Sequence, residues 1–276
     1  MNRKLITLLL VIIMSLAVVT TASAITWGEP DNGEHPNVGT LLFVQNGVGY
    51  FSCSGTMIAP RVMLTAGHCV EGGGNINEVT YVRFEEDALS GISDYGSLQE
   101  WFDAEWMATE TVIPHPQYAD FAEFPQTYDV GVVILAEPYY PSNGFGTLPS
   151  IGFLEELRGR DRLNFESVGY GLQGTLRPFE MDEYARYKGD VALLEVQSWI
   201  NGSQSAKFSN NPGIGGGTCY GDSGGPTFFG DTNVVVSVTS FGWAKNGNCV
   251  GNDFNFRTDI PAAQDFLNWV LDEYGG

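Results

Sequence analysis

One serine stands in a run of residues suited to acyl transfer. Ser223 lies within Gly217-Thr218-Cys219-Tyr220-Gly221-Asp222-Ser223-Gly224-Gly225-Pro226, among glycines that reach backbone shapes closed to other residues. Gly221 can turn its N–H inward beside that of Ser223, and two such donors aimed at one point stabilise the oxyanion of a tetrahedral intermediate. A hydroxyl is a weak nucleophile until a neighbouring base takes its proton. The chain has three histidines, and an imidazole can accept that proton and return it to a leaving amine. His35 precedes Pro36, and His115 lies between Pro114 and Pro116, which places both in extended loop segments where a solvated histidine is the default. His68 follows the strand-like run Val62–Thr65 and is the candidate base.

The hexapeptide 221–226 resembles the nucleophile segment of the chymotrypsin-like (trypsin-family) serine proteases, whose usual form Gly-Asp-Ser-Gly-Gly-Pro is present in full. Thr65-Ala66-Gly67-His68-Cys69 resembles the family's Thr-Ala-Ala-His-Cys, with glycine for the second alanine. The resemblance implies a triad in the order His, Asp, Ser. Asp129 and Asp190 both head apolar strand-like runs, and spacing separates them. Asp190 leaves 33 residues before Ser223, too few for the first half of a second barrel, whereas Asp129 lies 61 residues after His68 and 94 before Ser223. The implied roles are then Ser223 as nucleophile, His68 as base, Asp129 as orienting carboxylate, and the Gly221 and Ser223 N–H groups as oxyanion hole. Four cysteines alone allow three pairings; the resemblance implies Cys53 with Cys69 and Cys219 with Cys249. It implies no cofactor. Glu78, Glu85 and Glu86 could be offered to calcium, but a solvated acidic face is the ordinary reading of such residues, and no metal is expected.

In this family the residue six before the nucleophile lies at the base of the primary specificity pocket, and here it is Gly217. No fixed charge awaits a basic side chain at that position, and Thr239 stands where glutamyl-specific relatives often place a histidine. Ser240-Phe241-Gly242 resembles the family's Ser-Trp-Gly edge strand, which pairs with the substrate backbone. With Gly217, Thr218 and Gly242 around it, the pocket is expected to be uncharged and fairly open, suited to an apolar or aromatic side chain. Its depth also depends on Gly251–Phe256, whose alignment the sequence leaves open. Finally, Ile25-Thr26-Trp27-Gly28 resembles the family's Ile-Val-Gly-Gly-like N-terminus, which implies that a freed Ile25 amine pairs with Asp222.

The elements that must position these residues are short. Residues 1–24 read as a secretory signal, with Arg3 and Lys4, the apolar run Leu5–Val19, and Ala22-Ser23-Ala24 as cleavage site. The 252 residues after it are enough for one two-lobed domain. The chain carries a formal net charge of −20, and removing the leader takes away two positive charges and no negative ones, giving −22. Nucleic acid is therefore not an expected partner. The expected protein is a secreted, extracellular monomer acting on protein or peptide substrates, with no membrane attachment once the signal is gone. Apolar runs of strand length, Val38–Val44, Thr56–Ile58, Val62–Thr65, Val79–Phe84 and Val130–Leu135, precede a Pro/Gly-rich crossing, Glu137–Ser150. A second series follows at Ser167–Tyr170, Val191–Val196, Pro226–Phe229, Val234–Ser240 and Phe254–Thr258. Phe266, Trp269 and Val270 recur at helical spacing after Pro261. The expected fold is all-β: two antiparallel six-stranded barrels, about 25–136 and about 150–258, with the site between them and a C-terminal α-helix at about 260–273.

Overall fold

The computed structural model describes residues 25–45, 48–71, 78–119, 123–176, 179–181, 183–211, 213–243 and 248–276. The expected signal and the glycine-rich stretch Gly72–Asn75, which reads as a loop in the sequence, lie outside the described residues. A two-residue strand β1 (Glu29–Pro30) precedes the first lobe, made of β2 (Val38–Gln45), β3 (Val48–Met57), β4 (Val62–Thr65), β5 (Glu78–Arg83), β6 (Met107–Pro114) and β7 (Gly131–Leu135). These six close into an antiparallel barrel in the order β2-β3-β4-β7-β6-β5.

Strands β4 and β7 are buried along their whole length, which is why they read as unbroken apolar runs. Alternate side chains of a strand point to opposite faces. Met63, Val133 and Leu135 fill the barrel with Leu41 and Val82, while Val62, Leu64, Val132 and Ile134 pack outward against Val238, Phe256, Phe266 and Val270. Each such side chain contributes about 2 kcal/mol by leaving water, so this outward face cements the first lobe to the second and to the C-terminal helix.

The second lobe comprises β8 (Phe165–Gly169), the hairpin β9 (Gly174–Leu176) and β10 (Phe179–Met181), then β11 (Tyr187–Val191), β12 (Leu193–Glu195), β13 (Ser205–Asn210), β14 (Pro226–Phe229), β15 (Val235–Trp243) and β16 (Gly251–Arg257). Its eight-stranded sheet runs β1-β11-β8-β14-β15-β16-β13-β12. Strands β11 and β12 are separated only by Ala192, so residues 187–195 form one bent strand that pairs with β8 at one end and with β13 at the other. The sheet thereby curls back on itself through the chain, giving the all-β, barrel-like second lobe. Helix α1 (Leu98–Glu105) and the short α2 (Phe153–Glu156) interrupt the strands, and α3 (Pro261–Tyr274) closes the chain with Pro261 in its first turn.

Several residues stand differently from the sequence expectation. On α3 the buried face is Ala263, Phe266, Leu267 and Val270, whereas Trp269 is 50% exposed; Leu267 fills the place expected for it. His35 and His115 are not solvated. His35 is held between Asp31 and Glu166 and stacks on Phe228, while His115 is buried against Tyr128 and Phe266. Asp190 lies within β11, exposed, rather than at the head of the run. Asn201, which opens the glycosylation pattern Asn201-Gly202-Ser203, is fully buried and donates to the Ser205 carbonyl, so its amide is closed to modification in the folded chain.

Candidate active site

His68 and Asp129 are brought together by the register of two strands. β4 and β7 are antiparallel, with Thr65 opposite Gly131, so a residue just past the end of β4 meets one just before the start of β7. His68 Nδ1 lies 2.9 Å from Asp129 Oδ2, and the His68 backbone N–H donates to Asp129 Oδ1 at 2.8 Å. Gly67 shapes this junction: a Cβ there would stand 2.7 Å from the Tyr118 ring and 3.2 Å from Asp129 Oδ1. Glycine in place of alanine thus makes room for Tyr118. The Ser240 hydroxyl also donates to Asp129 Oδ2, a use of Ser240 that the edge-strand resemblance did not foresee. Burial pushes the Asp129 carboxyl up, but the bonds and charge of His68 and the Ser240 bond outweigh it and hold Asp129 below the usual carboxylate range. An ionised carboxylate beside Nδ1 keeps the ring proton there and leaves Nε2 as the basic nitrogen.

Ser223 sits on an irregular segment between Cys219 and β14, and residues of both lobes hold it. The Asp222 carboxylate is fully buried and accepts from the N–H groups of Gly171 and Cys219 at 2.8 and 2.9 Å. From β3, the Ser54 N–H donates to the Ser223 carbonyl at 2.7 Å and the Ser54 hydroxyl to the Gly221 carbonyl at 3.0 Å. Gly221 has φ +99° and Gly224 φ +79°. A Cβ on Gly224 would lie 2.0 Å from Thr65 Oγ1 and 2.4 Å from the Ser54 carbonyl, so glycine is required where the turn presses on the first lobe. Cys53 is bonded to Cys69 and Cys219 to Cys249, the pairing expected. Cys69 Sγ lies 3.6 Å from the Ser223 carbonyl, which sets the serine turn against the residue next to His68.

Beside Ser223 opens a cavity of about 310 Å³ whose lining includes Thr218, Ser240, Phe241 and Gly242, all expected there. Phe241 stacks on Phe254 with ring centroids 4.9 Å apart. Gly217 lies behind this lining: a Cβ on it would stand 2.1 Å from Asn210 Cγ. In its place the lining holds Asn210 and Asp253. Asp253 is 2% exposed; its one mark in the chain is that of a lone carboxylate in the aromatic run of β16.

At the far side of this floor, Thr26 pairs antiparallel with Gly217, its N–H donating to the Gly217 carbonyl at 2.9 Å and its own carbonyl accepting at 3.2 Å. Ile25 is fully buried with Tyr187 and Ala185.

The Trypsin family model matches residues 25–270. The chain belongs to the trypsin family. Among the relatives of this trypsin-family protein are the CLIP domain-containing serine protease B15 of Anopheles gambiae, 28% identical over 78% of this chain, and the phenoloxidase-activating enzyme of Bombyx mori, 26% identical over 79%. The chain spans 60% and 53% of the lengths of those two proteins. Serine protease 1 of Drosophila melanogaster is 26% identical, the match covering 91% of this chain and 86% of that one. The solved structure of HL collagenase superposes with a TM-score of 0.62 at 18% identity, covering 94% of this chain and 99% of that one. Human heparin binding protein does so with a TM-score of 0.60 at 17% identity, covering 90% and 97%. These two likenesses concern the fold alone.

Proposed function

We propose that the protein is a secreted serine endopeptidase that cleaves peptide bonds through an acyl-enzyme. The observation that carries this reading is the Asp129 carboxylate, buried and ionised, held against His68 Nδ1 and bonded by Ser240, which lines the same cavity as Ser223. In the reading, Ser223 Oγ attacks the scissile carbonyl while His68 Nε2 takes its proton. The N–H groups of Gly221 and Ser223 stabilise the oxyanion. His68 then returns the proton to the leaving amine, and water hydrolyses the ester by the same steps in reverse. The stack of Phe241 on Phe254 offers the apolar or aromatic wall expected for the side chain preceding the scissile bond.

Activation belongs to the same proposal. Signal removal frees the Ile25 amine, which pairs with Asp222 and fixes the Gly221 turn. The complete burial of both Ile25 and Asp222 supports it. Mature chains made with Ile25 free and with one extra residue before it differ in activity if the amine matters; equal activity removes this part of the proposal.

The reading is tested with a fluorophosphonate, which labels a serine only where a base activates it. The mature protein is expected to be labelled and to digest denatured casein. Ser223→Ala is expected to lose both, with hydrolysis falling by about 10⁶-fold. An unlabelled wild type favours a protease-fold binding module, and labelling with hydrolysis of esters alone favours an esterase.

A further inference from the structure

The segment before the nucleophile offers the pocket no charge, and it has no room for one, because Asn210 occupies the space a side chain on Gly217 would need. The pocket nevertheless contains a carboxylate. Asp253, on β16, stands opposite Gly242 of β15, and its Oδ1 lies 3.6 Å from where a Cβ on Gly242 would be. Any side chain at 242 would sit against that oxygen, so the bare glycine leaves it open to the cavity. Asn210 Nδ2 donates to Asp253 Oδ1 at 2.8 Å and the Thr218 N–H to Oδ2 at 2.7 Å.

We propose that Asp253 determines specificity in this pocket, receiving the cationic end of a lysine or arginine side chain when ionised and leaving the pocket to apolar side chains when protonated. The inference rests on the endopeptidase reading and deepens it, since the same cavity then takes two classes of substrate side chain.

The bonds from Asn210 and Thr218 leave part of an ionised carboxylate's accepting capacity unused, and an ammonium or guanidinium entering the pocket supplies further donors and the countercharge. Among the described residues the groups that face Asp253 are neutral: the Asn210 amide from β13, Gly242 from β15, and the N–H and hydroxyl of Thr218. Burial therefore decides its protonation and raises it to about 6. Below that pH the floor is a neutral acid, and above it an uncompensated anion.

The floor is also tied to the N-terminal segment. The Thr26 hydroxyl lies within hydrogen-bond distance of both Asn210 Oδ1, at 3.1 Å, and the Gly217 carbonyl, at 2.9 Å. Asn210 turns its other end to Asp253. Thr26 thereby orients the amide that orients the carboxylate, and acts as a positioning residue.

The test uses binding first, because binding does not require hydrolysis. Benzamidine, a cationic amidine on an aromatic ring, and benzamide, its neutral counterpart, are titrated calorimetrically into the mature protein at pH 5.0 and 7.5. About a tenth of Asp253 is ionised at the lower pH and nearly all at the higher. Benzamidine is expected to bind about tenfold tighter at pH 7.5, benzamide equally at both, and Asp253→Asn to remove the difference.

Kinetics follow with two otherwise identical peptides, one with lysine and one with leucine before the scissile bond. The ratio of their kcat/KM values is expected to rise about tenfold over the same range in the wild type. Titrations common to both substrates, that of the general base included, cancel in this ratio. The wild-type profile stands even if Asp253→Asn fails to fold. A pH-independent benzamidine affinity in the wild type, or one that Asp253→Asn leaves unchanged, overturns the proposal. Pocket binding as expected without serine labelling overturns the endopeptidase reading and leaves the assignment of Asp253 intact.

Discussion

At Asp253, burial outweighs the hydrogen bonds from Asn210 and Thr218, and the sign of the effect on stability follows. A carboxyl whose folded-state value is raised contributes stability below its ordinary 3.8, and that contribution is lost as the pH rises through about 6. The loss amounts to ~3 kcal/mol. In urea unfolding, the stability difference between Asp253→Asn and wild type is therefore expected to move in the variant's favour by that amount between pH 4 and 7. At Asp129 the balance is reversed by His68 and Ser240, and in the endopeptidase reading the carboxylate orients the imidazole. Asp129→Asn is expected to lower kcat by about 10⁴-fold, while Ser240→Ala leaves Asp129 its bonds to His68 and lowers kcat much less. Steady-state kinetics on one peptide substrate compare the two. The meeting of His68 with Asp129 and the place of Ser223 at the cavity were legible because each residue is bound to a local pattern or a strand start. Asp253 was not, since its place at the pocket depends on how β16 registers against β15, and the intervening loop hides that register from the sequence.

Among the elements, β4 and β7 were legible because burial on both faces makes them apolar throughout. Strand β13, Ser205–Asn210, was missed because it is polar yet buried: Ser205, Ser209 and Asn210 are each at most 3% exposed. These side chains are accommodated by hydrogen bonds, as when Ser209 Oγ accepts from the Ala192 N–H at 2.8 Å. Helix α1 was missed although its start carries a capping pattern. The Ser97 hydroxyl accepts from the Glu100 N–H, and Glu100 Oε2 in turn accepts from the Gly96 N–H. With only eight residues, its buried Trp101 and Phe102 leave too little periodicity to notice. The Cys53–Cys69 bridge joins β3 to the segment that carries His68, across 16 residues. Replacing both cysteines by alanine is expected to cost ~3 kcal/mol of stability, read from the urea midpoint. Activity is expected to fall further than stability alone explains, because the turn under Ser223 loses its covalent neighbour.

Across the whole molecule, the N-terminal segment, the second lobe and the first lobe meet at one buried ion pair. Arg186, on the segment entering β11, donates to Asp31 at 2.8 Å, to the carbonyls of Val38 and Phe84 in the first lobe, and to the Tyr170 hydroxyl. Burial pushes the Asp31 carboxyl up, but His35 and Arg186 prevail and hold it at about 2. A depressed carboxylate contributes stability above its ordinary 3.8 that disappears as the pH falls through about 2, here ~2 kcal/mol. The stability gap between wild type and Asp31→Asn is expected to narrow by that amount between pH 5 and 2 in denaturant titrations; a constant gap means that the pair does not carry the lobe junction's acid sensitivity. The bent strand 187–195 has a separate consequence, for self-association. The second sheet ends in two short strands, β12 of three residues, itself the far half of the bent strand, and β1 of two. Pro30 has no N–H to offer an incoming chain, and the Glu29 side chain is 71% exposed, so like charges would face each other across any dimer formed there. An edge that ends as β1 does gives fibrils and edge-to-edge aggregates no template on which to grow.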